Sequence, residues 1–448
     1  MVFKAFFILK FTFLLSLCFQ TNFLNAQDTT QSKQDTNYYR YCVQEQFENF
    51  SEPIFTAIDT SLNLFQRYEP LSSCAFLGNS GKAYKNLLFE TRFNPGFNLG
   101  EHVYRQYFPD REELLYYDVS SPYTDLYYVM GGSKEQILKV LHTQNINKLF
   151  NVALNFNIIS SPGTYRRQKT DITNFILNTN YRTKNKRYTL LGNIMAYKWY
   201  NNENGGLYDL SDFTTQLLTR TDLFDVKLSS AQNRVKENSV FLRQEIGFNK
   251  THTTDSLISP DKSNFNTKLS HTLKYNINSF MYIDENPSAT YYNKIYFDTV
   301  YTGDSTHANI LSNELALSQI FFRNKQKEAV LFADIALEHQ YTDHRQFITS
   351  MLDSLIAVKK EKGCISQYIA KAQVQIKPAL GFNINLNAYQ IINGFNKDDM
   401  GFGFLSAYQV NDKHRISLKA SLNSYECPYH MSQFTSNHYI WQNNFKKY

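Results

Sequence analysis

The chain has 448 residues with 46 Lys and Arg against 40 Asp and Glu, a formal charge of +6, and an aromatic share of 16% built from 32 Tyr and 36 Phe but 2 Trp. So mild a basic balance does not suit a nucleic-acid partner, and the weight of Tyr and Phe favours strands and membrane interfaces. Past residue 26 no stretch approaches the roughly 20 apolar residues of a spanning helix, which excludes a helical membrane protein.

Lys4 and Lys10, an apolar run at 11–19 and the small Ala26 ahead of Gln27-Asp28-Thr29 predict a cleaved secretory signal peptide over 1–26. Lys10, Gln20 and Asn22 cut the run too short for a membrane anchor. Leu17 stands where a lipid-anchor signal at Cys18 would want a small residue, so that alternative is set aside. Cleavage leaves Cys42, Cys74, Cys364 and Cys427, too far apart for metal-ligand spacing; oxidised pairs and lone thiols both stay open. Residues 27–80 are polar and lack sustained alternation, which predicts a periplasmic segment, disordered at first, with an inward-folding plug as the alternative.

The remainder, 81–448, is predicted to form an antiparallel transmembrane β-barrel. Candidate strands come first at 83–92, 100–108, 113–119 and 123–130. At 150–158 the alternation is strict: Phe150, Val152, Leu154, Phe156 and Ile158 lie on one side, Asn151, Ala153, Asn155 and Asn157 on the other. At 173–182 the side holding Asn174, Ile176, Asn178 and Asn180 alternates with Phe175, Leu177 and Tyr181. Further runs occupy 240–248, 269–277, 331–337, 368–376 and 416–422, and 382–388 sets Phe382, Ile384 and Leu386 against Asn383, Asn385 and Asn387. These runs outlast the strands of soluble proteins, which average about 5 to 6 residues, and approach the roughly 9 to 11 of a tilted transmembrane strand. A face rich in asparagine suits a water-filled lumen and not a dry core.

The connections are sorted by length, as in outer-membrane barrels with short periplasmic turns and longer extracellular loops. Short ones are expected at 145–148, 183–186, 323–328, 378–379 and 412–413, and long ones at 160–171, 201–236, 283–308, 342–365, 393–400 and 425–436; 250–263 is a middling periplasmic turn. With a last strand at 439–445 running inward, both termini are periplasmic and the count comes to about 16 strands, an even number as bacterial barrels require.

At 69–132 the chain reads EPLSSCAFLGNSGKAYKNLLFE, GFNLGEHVYRQYF and ELLYYDVSSPYTDLYYVMGG, and from His142 it continues HTQNINKLFNVALNFNIISSPGTYRRQKTDITNFILNTNYRTKNKRYTLLGN. Over essentially the whole mature length it resembles the putative porin family of Bacteroidota. The resemblance implies a Gram-negative outer-membrane barrel assigned to passive transport, set in outer-membrane lipid by the barrel-assembly machinery. Barrels commonly end on an aromatic residue with apolar partners at every second position; Tyr448 fits and Lys446 and Asn444 do not, which leaves complete and truncated reading frames both open.

No enzyme is expected. The ten histidines are scattered without triad or zinc spacing, Asp398-Asp399 lacks the oxygen spacing of a calcium loop, and Gly131-Gly132 and Gly205-Gly206 read as turns. No cofactor is implied. The candidate pore lining is Asn151, Asn155, Asn157, Asn174, Asn178, Lys371, Gln373, Gln375, Asn383, Asn385 and Asn387. Lys377, Arg243, Lys419, Ser417 and Ser421 share that polar side; Glu314, Asp334 and Glu338 oppose the cations, so a weakly selective passage for small hydrophilic solutes is predicted. The competing reading is a non-conducting barrel whose loops, above all 201–236 and 283–308, bind a partner.

Overall fold

The structure is a computed structural model that describes residues 39–43, 52–53, 74–76, 78–87, 95–99, 107, 114–211, 214, 220–250, 265–323, 329–351, 356–378, 381–411 and 414–447. The chain divides into Met1–Asn37 and Tyr38–Tyr448. The first unit, with the expected signal peptide, lies outside the described residues; all that follows concerns the second.

Five short strands come first: β1 (Tyr39–Val43), β2 (Glu52–Pro53), β3 (Cys74–Phe76), β4 (Tyr84–Asn86) and β5 (Leu115–Val119). Thirteen more follow: β6 (Tyr123–Met130), β7 (Gln136–Asn147), β8 (Phe150–Ser161), β9 (Thr170–Arg182), β10 (Tyr188–Asn202), β11 (Gln232–Lys250), β12 (Phe265–Asp284), β13 (Thr302–Arg323), β14 (Ala329–Ser350), β15 (Ile356–Ile376), β16 (Phe382–Ile391), β17 (Met400–Asn411) and β18 (His414–Ser424). A helical turn at Tyr429–Ser432 leads to β19 (Gln433–Thr435) and β20 (Ile440–Gln442). Strands β6 to β18 form one antiparallel sheet in sequence order. They run from 8 residues in β6 to 22 in β13 and β14.

Among the described residues, the one of the four earliest strand candidates that joins this sheet is 123–130. Residues 84–86 pair with β3, 115–119 pair with β1, and 100–108 lies outside the described residues except for Tyr107. The reason is visible in β5, where neighbouring Tyr116 and Tyr117 and then Val119 are all buried. Apolar side chains are thus buried on both sides of its pleat, which fits a strand covered on both faces and not a wall with one wet face. Among the described residues the sheet therefore has thirteen strands, and its edge strands β6 and β18 are not paired with each other. The strand expected at 439–445 is instead the short β20, paired with β19.

The short connections after β7, β9, β13, β15 and β17 leave from one end of the sheet, and the long ones after β8, β10, β12 and β16 leave from the other. The loop expected at 342–365 is mostly strand, since β14 and β15 stay paired up to Ser350 and Ile356. Residues 342–346 are polar on both sides of the pleat, so the alternation that marks a strand in sequence disappears there while the backbone ladder continues.

One face of the sheet is apolar and exposed: Ile194, Val240, Leu269, Tyr275, Leu315, Leu317, Ile335, Leu337, Phe402 and Leu418 all stand open. In water each exposed Leu or Ile would forgo about 1.5–3 kcal/mol relative to burial, and soluble monomers rarely expose contiguous patches of this extent. The other face is polar, and over β7 to β11 the N-terminal pieces cover it. Cys42 and Tyr116 pack with Leu191 and Phe241, and Tyr117 and Val119 with Ala153. Nearer the long connections Tyr107 joins Ile137, Ile159, Ile172, Tyr197 and Trp199. Thus 39–43 and the pieces at 78–87 and 95–99 pack against the sheet.

Candidate functional site

The polar face divides into a part that the chain itself occupies and a part that it leaves more open. In the occupied part, Asn178 Nδ2 donates to the carbonyl of Leu115 at 3.0 Å and Asn180 Nδ2 to that of Tyr117 at 2.9 Å. The Val119 N–H donates to Asn145 Oδ1 at 3.4 Å, and Asn145 Nδ2 to Asp118 Oδ1 at 2.9 Å. Residues 115, 117 and 119 point their backbone groups the same way, so wall amides spaced along β7 and β9 replace the missing neighbour of the β5 edge. Asn151 bonds Asn145 Oδ1 at 2.6 Å and the Thr143 hydroxyl at 3.1 Å. Asn151, Asn174 and Asn178 are buried at 3%, 4% and 1% exposure, while Asn155 and Asn157 are half-buried, with Asn157 directly opposite Asn174. An amide that can face water can equally face a peptide backbone, and sequence does not distinguish the two.

In the more open part, Lys371 on β15 bridges Glu314 on β13 at 2.7 Å and Glu338 on β14. Arg243 and Glu245 on β11 pair at 2.7 Å, and Lys268 lies 3.9 Å from Glu245. Beside this group runs an amide ladder: Gln373 donates to Asn385 Oδ1 and Gln375 to Asn383 Oδ1, each at 3.2 Å, with Asn387 directly opposite Gln373. The structure thus brings Lys371, Gln373, Gln375, Asn383, Asn385 and Asn387 together on β15 and β16. It separates them by several strands from the asparagines of β8 and β9. The pairing of Lys371 with two carboxylates was not legible from alternation, because it depends on the register that sets Glu314 opposite Glu338.

A strap at 95–99 packs against β14 and the C-terminal helical turn. The Phe97 N–H donates to Gln340 Oε1 at 2.9 Å, and Gln367 donates to the same oxygen at 2.6 Å. The Phe97 ring stacks on His344 with centroids 5.7 Å apart and meets Tyr429 at 5.5 Å. Tyr429 and His430 donate their backbone N–H groups to the carbonyls of Asn98 and Leu99.

At the long-connection end Lys82 Nζ donates to the Asn202 carbonyl at 2.5 Å; burial pushes this ammonium down to about 8, against the opposing pull of Glu203. Trp199 Nε1 donates to the Gly81 carbonyl at 2.8 Å. Asp298 accepts from the Ser350 hydroxyl and from the N–H groups of Met351, Val300 and Tyr301. Burial alone would raise its carboxyl, yet these donors hold it at about 2. His438 stacks on Tyr292 with centroids 3.6 Å apart and bonds Thr302 Oγ1 at 2.7 Å and the Lys294 carbonyl at 3.1 Å. Burial lowers its imidazole below the usual range.

Cys42, Cys364 and Cys427 carry free thiols. Burial pushes that of Cys42 up to about 12, with Arg182 pulling the other way, so it is a poor nucleophile. Among the described residues no three His, Cys, Asp or Glu side chains come together in a way that could hold a metal ion.

No curated protein matches the chain. Among solved structures it is similar to the ferric-catecholate import receptor Fiu of E. coli K12 in its closed form, at 12% identity and TM-score 0.41 over 68% of this chain and 47% of that one. It is similar to the unliganded ferric citrate transporter FecA at 11% and 0.44 over 67% and 43%, and to the siderophore receptor PiuA from Acinetobacter baumannii at 8% and 0.37 over 68% and 46%. The chain spans about half the length of each of these receptors. The model of the family described as putative porin matches residues 37–448, and the chain belongs to that family.

Proposed function

We propose that the protein is an outer-membrane channel, not an enzyme, through which small hydrophilic solutes diffuse passively. The observation that carries the reading is the two-faced sheet: exposed Leu, Ile and Phe on one side, an amide ladder and paired charges on the other, in strands long enough to cross a bilayer. Family membership supports the outer membrane and a channel-like role. The passage runs along the polar face of β12 to β18, where Lys371 is matched by carboxylates and the net field is weak. Export uses the signal at 1–26, insertion uses the barrel-assembly machinery, and the short connections face the periplasm.

Reconstitution of the folded full chain into a planar bilayer tests this: stepwise conductance with weak ion selectivity is expected, and silence from protein that migrates heat-modifiably contradicts it. The covered polar face of β7 to β11 favours a second reading, a non-conducting anchor whose loops bind a partner. Deleting 203–231 separates the two, since a channel keeps or widens its conductance whereas an anchor never conducts and loses its partner.

A further inference from the structure

The apolar face carries a feature that lipid tails do not explain. Following the register from strand to strand, Lys198 on β10 stands opposite Lys236 on β11, Lys236 opposite Ser279, Ser279 opposite His307, His307 opposite Arg345 on β14, and Arg345 opposite Lys362 on β15. This single row crosses six strands, five steps of about 4.8 Å, or roughly 24 Å. On β10, β11, β13 and β14 it stands four residues beyond Ile194, Val240, Leu311 and Tyr341 of the apolar face, on the side of the long connections. Tyr275 and Tyr341 share the register row of Ile194 and Val240, so aromatic rings mark the boundary between the apolar face and the cations.

Like charges directly opposite one another destabilise a sheet, and here the pairs Lys198 with Lys236 and Arg345 with Lys362 are cross-strand neighbours. Lys198, Lys236 and Lys362 are exposed. Asp343, one row nearer the apolar side, is salt-bridged to Arg345; among the described residues no carboxylate lies within ion-pair distance of the three lysines. Arg234, on the next row outward, lies over the Tyr200 ring and adds to the same positive field. Such a row calls for an external anion at the depth where lipid tails give way to headgroups.

We propose that the row Lys198, Lys236, His307, Arg345 and Lys362 binds the phosphate groups of a glycolipid in the leaflet facing the long connections. The inference rests on the outer-membrane reading above. The phosphates lie between the paired cations and relieve their repulsion, the sugar spans neighbouring strands, and the acyl chains run down the apolar face past Tyr275 and Tyr341. Bound lipid would hold β10 to β15 at one depth in the membrane.

The test uses the full chain, folded and heat-modifiable in neutral detergent, titrated with diphosphorylated lipid A, with dephosphorylated lipid A and with phosphatidylglycerol, and read by native mass spectrometry and thermal melting. Diphosphorylated lipid A should be retained and raise the melting temperature, and affinity should fall with salt. The triple variant Lys198→Gln/Lys236→Gln/Lys362→Gln should bind it at least about tenfold more weakly. A control with the same charge loss at the other end, Lys148→Gln/Lys184→Gln/Lys186→Gln, should bind as the parent does. Equal retention of the two forms of lipid A, equal binding by the triple variant, or equal affinity for phosphatidylglycerol would overturn the proposal. Protein that neither enters detergent micelles nor migrates heat-modifiably would instead overturn the outer-membrane reading beneath it.

Discussion

Lys371 holds apart two carboxylates that the register sets face to face, Glu314 and Glu338. Lys371→Met should destabilise the fold by about 1–3 kcal/mol, because two largely buried acceptors lose their donor; the urea midpoint of the heat-modifiable form reports it. Adding Glu338→Gln should recover part of the loss by removing the repulsion that remains. At Gly81, φ is +88° and a Cβ would meet the Thr170 side chain. Gly81→Ala should therefore loosen 78–87, read as faster proteolysis there. Asp298 and His438 act together on pH. A carboxyl held at about 2 in the fold binds fewer protons than its unfolded form, with an ordinary value of 3.8, so its stabilisation is complete above that value and is lost as pH falls towards 2. A histidine lowered below 6.5 by burial must charge on unfolding, so its site also weakens as pH falls through and below that range. Acid should thus open the long-connection end, and in Asp298→Asn the step between pH 4 and 2 should vanish from limited-proteolysis profiles of 285–301.

Among elements, the strap at 95–99 packs through the Phe97 ring. Phe97 is 8% exposed and meets rings from β14 and from the C-terminal helical turn. Phe97→Ala should free 95–99 and 429–432 to hydrogen exchange while β13 and β14 stay protected, which separates strap from wall. The wall strands were legible because a strand between lipid and a polar interior has to alternate, and 150–158, 173–182 and 382–388 fall within β8, β9 and β16. Where that constraint lapses the sequence falls silent. Residues 342–350 stay in β14 without an apolar side, and Tyr116-Tyr117 in β5 is apolar on both. Of the candidate lining, the β15 and β16 members share one polar ladder, as their spacing suggested. Asn151, Asn174 and Asn178 share the polar side but lie buried, and β5 covers Asn178, whose amide donates to the Leu115 carbonyl. No periodicity within β8 or β9 could reveal a covering segment that comes from elsewhere in the chain.

For the whole molecule, the described sheet is a wall with thirteen strands, one side fit for lipid and the other partly filled by the chain's own N-terminal pieces. Composition and alternation predicted such a wall; the filling depends on contacts such as Trp199 to Gly81 and Asn180 to Tyr117, whose partners are 118 and 63 residues apart. The central claim is that alternate residues of one strand meet lipid and polar surroundings. Nitroxide labels placed singly at 314, 315, 316, 317, 335, 336 and 337 of β13 and β14 in protein reconstituted in bilayers test it by accessibility to oxygen and to a water-soluble nickel chelate. Labels at Leu315, Leu317, Ile335 and Leu337 should be open to oxygen and shielded from nickel, and labels at Glu314, Ala316 and Ala336 should show the reverse bias. Accessibility without that period of two, or nickel exposure at Leu315 and Leu337, would contradict the account.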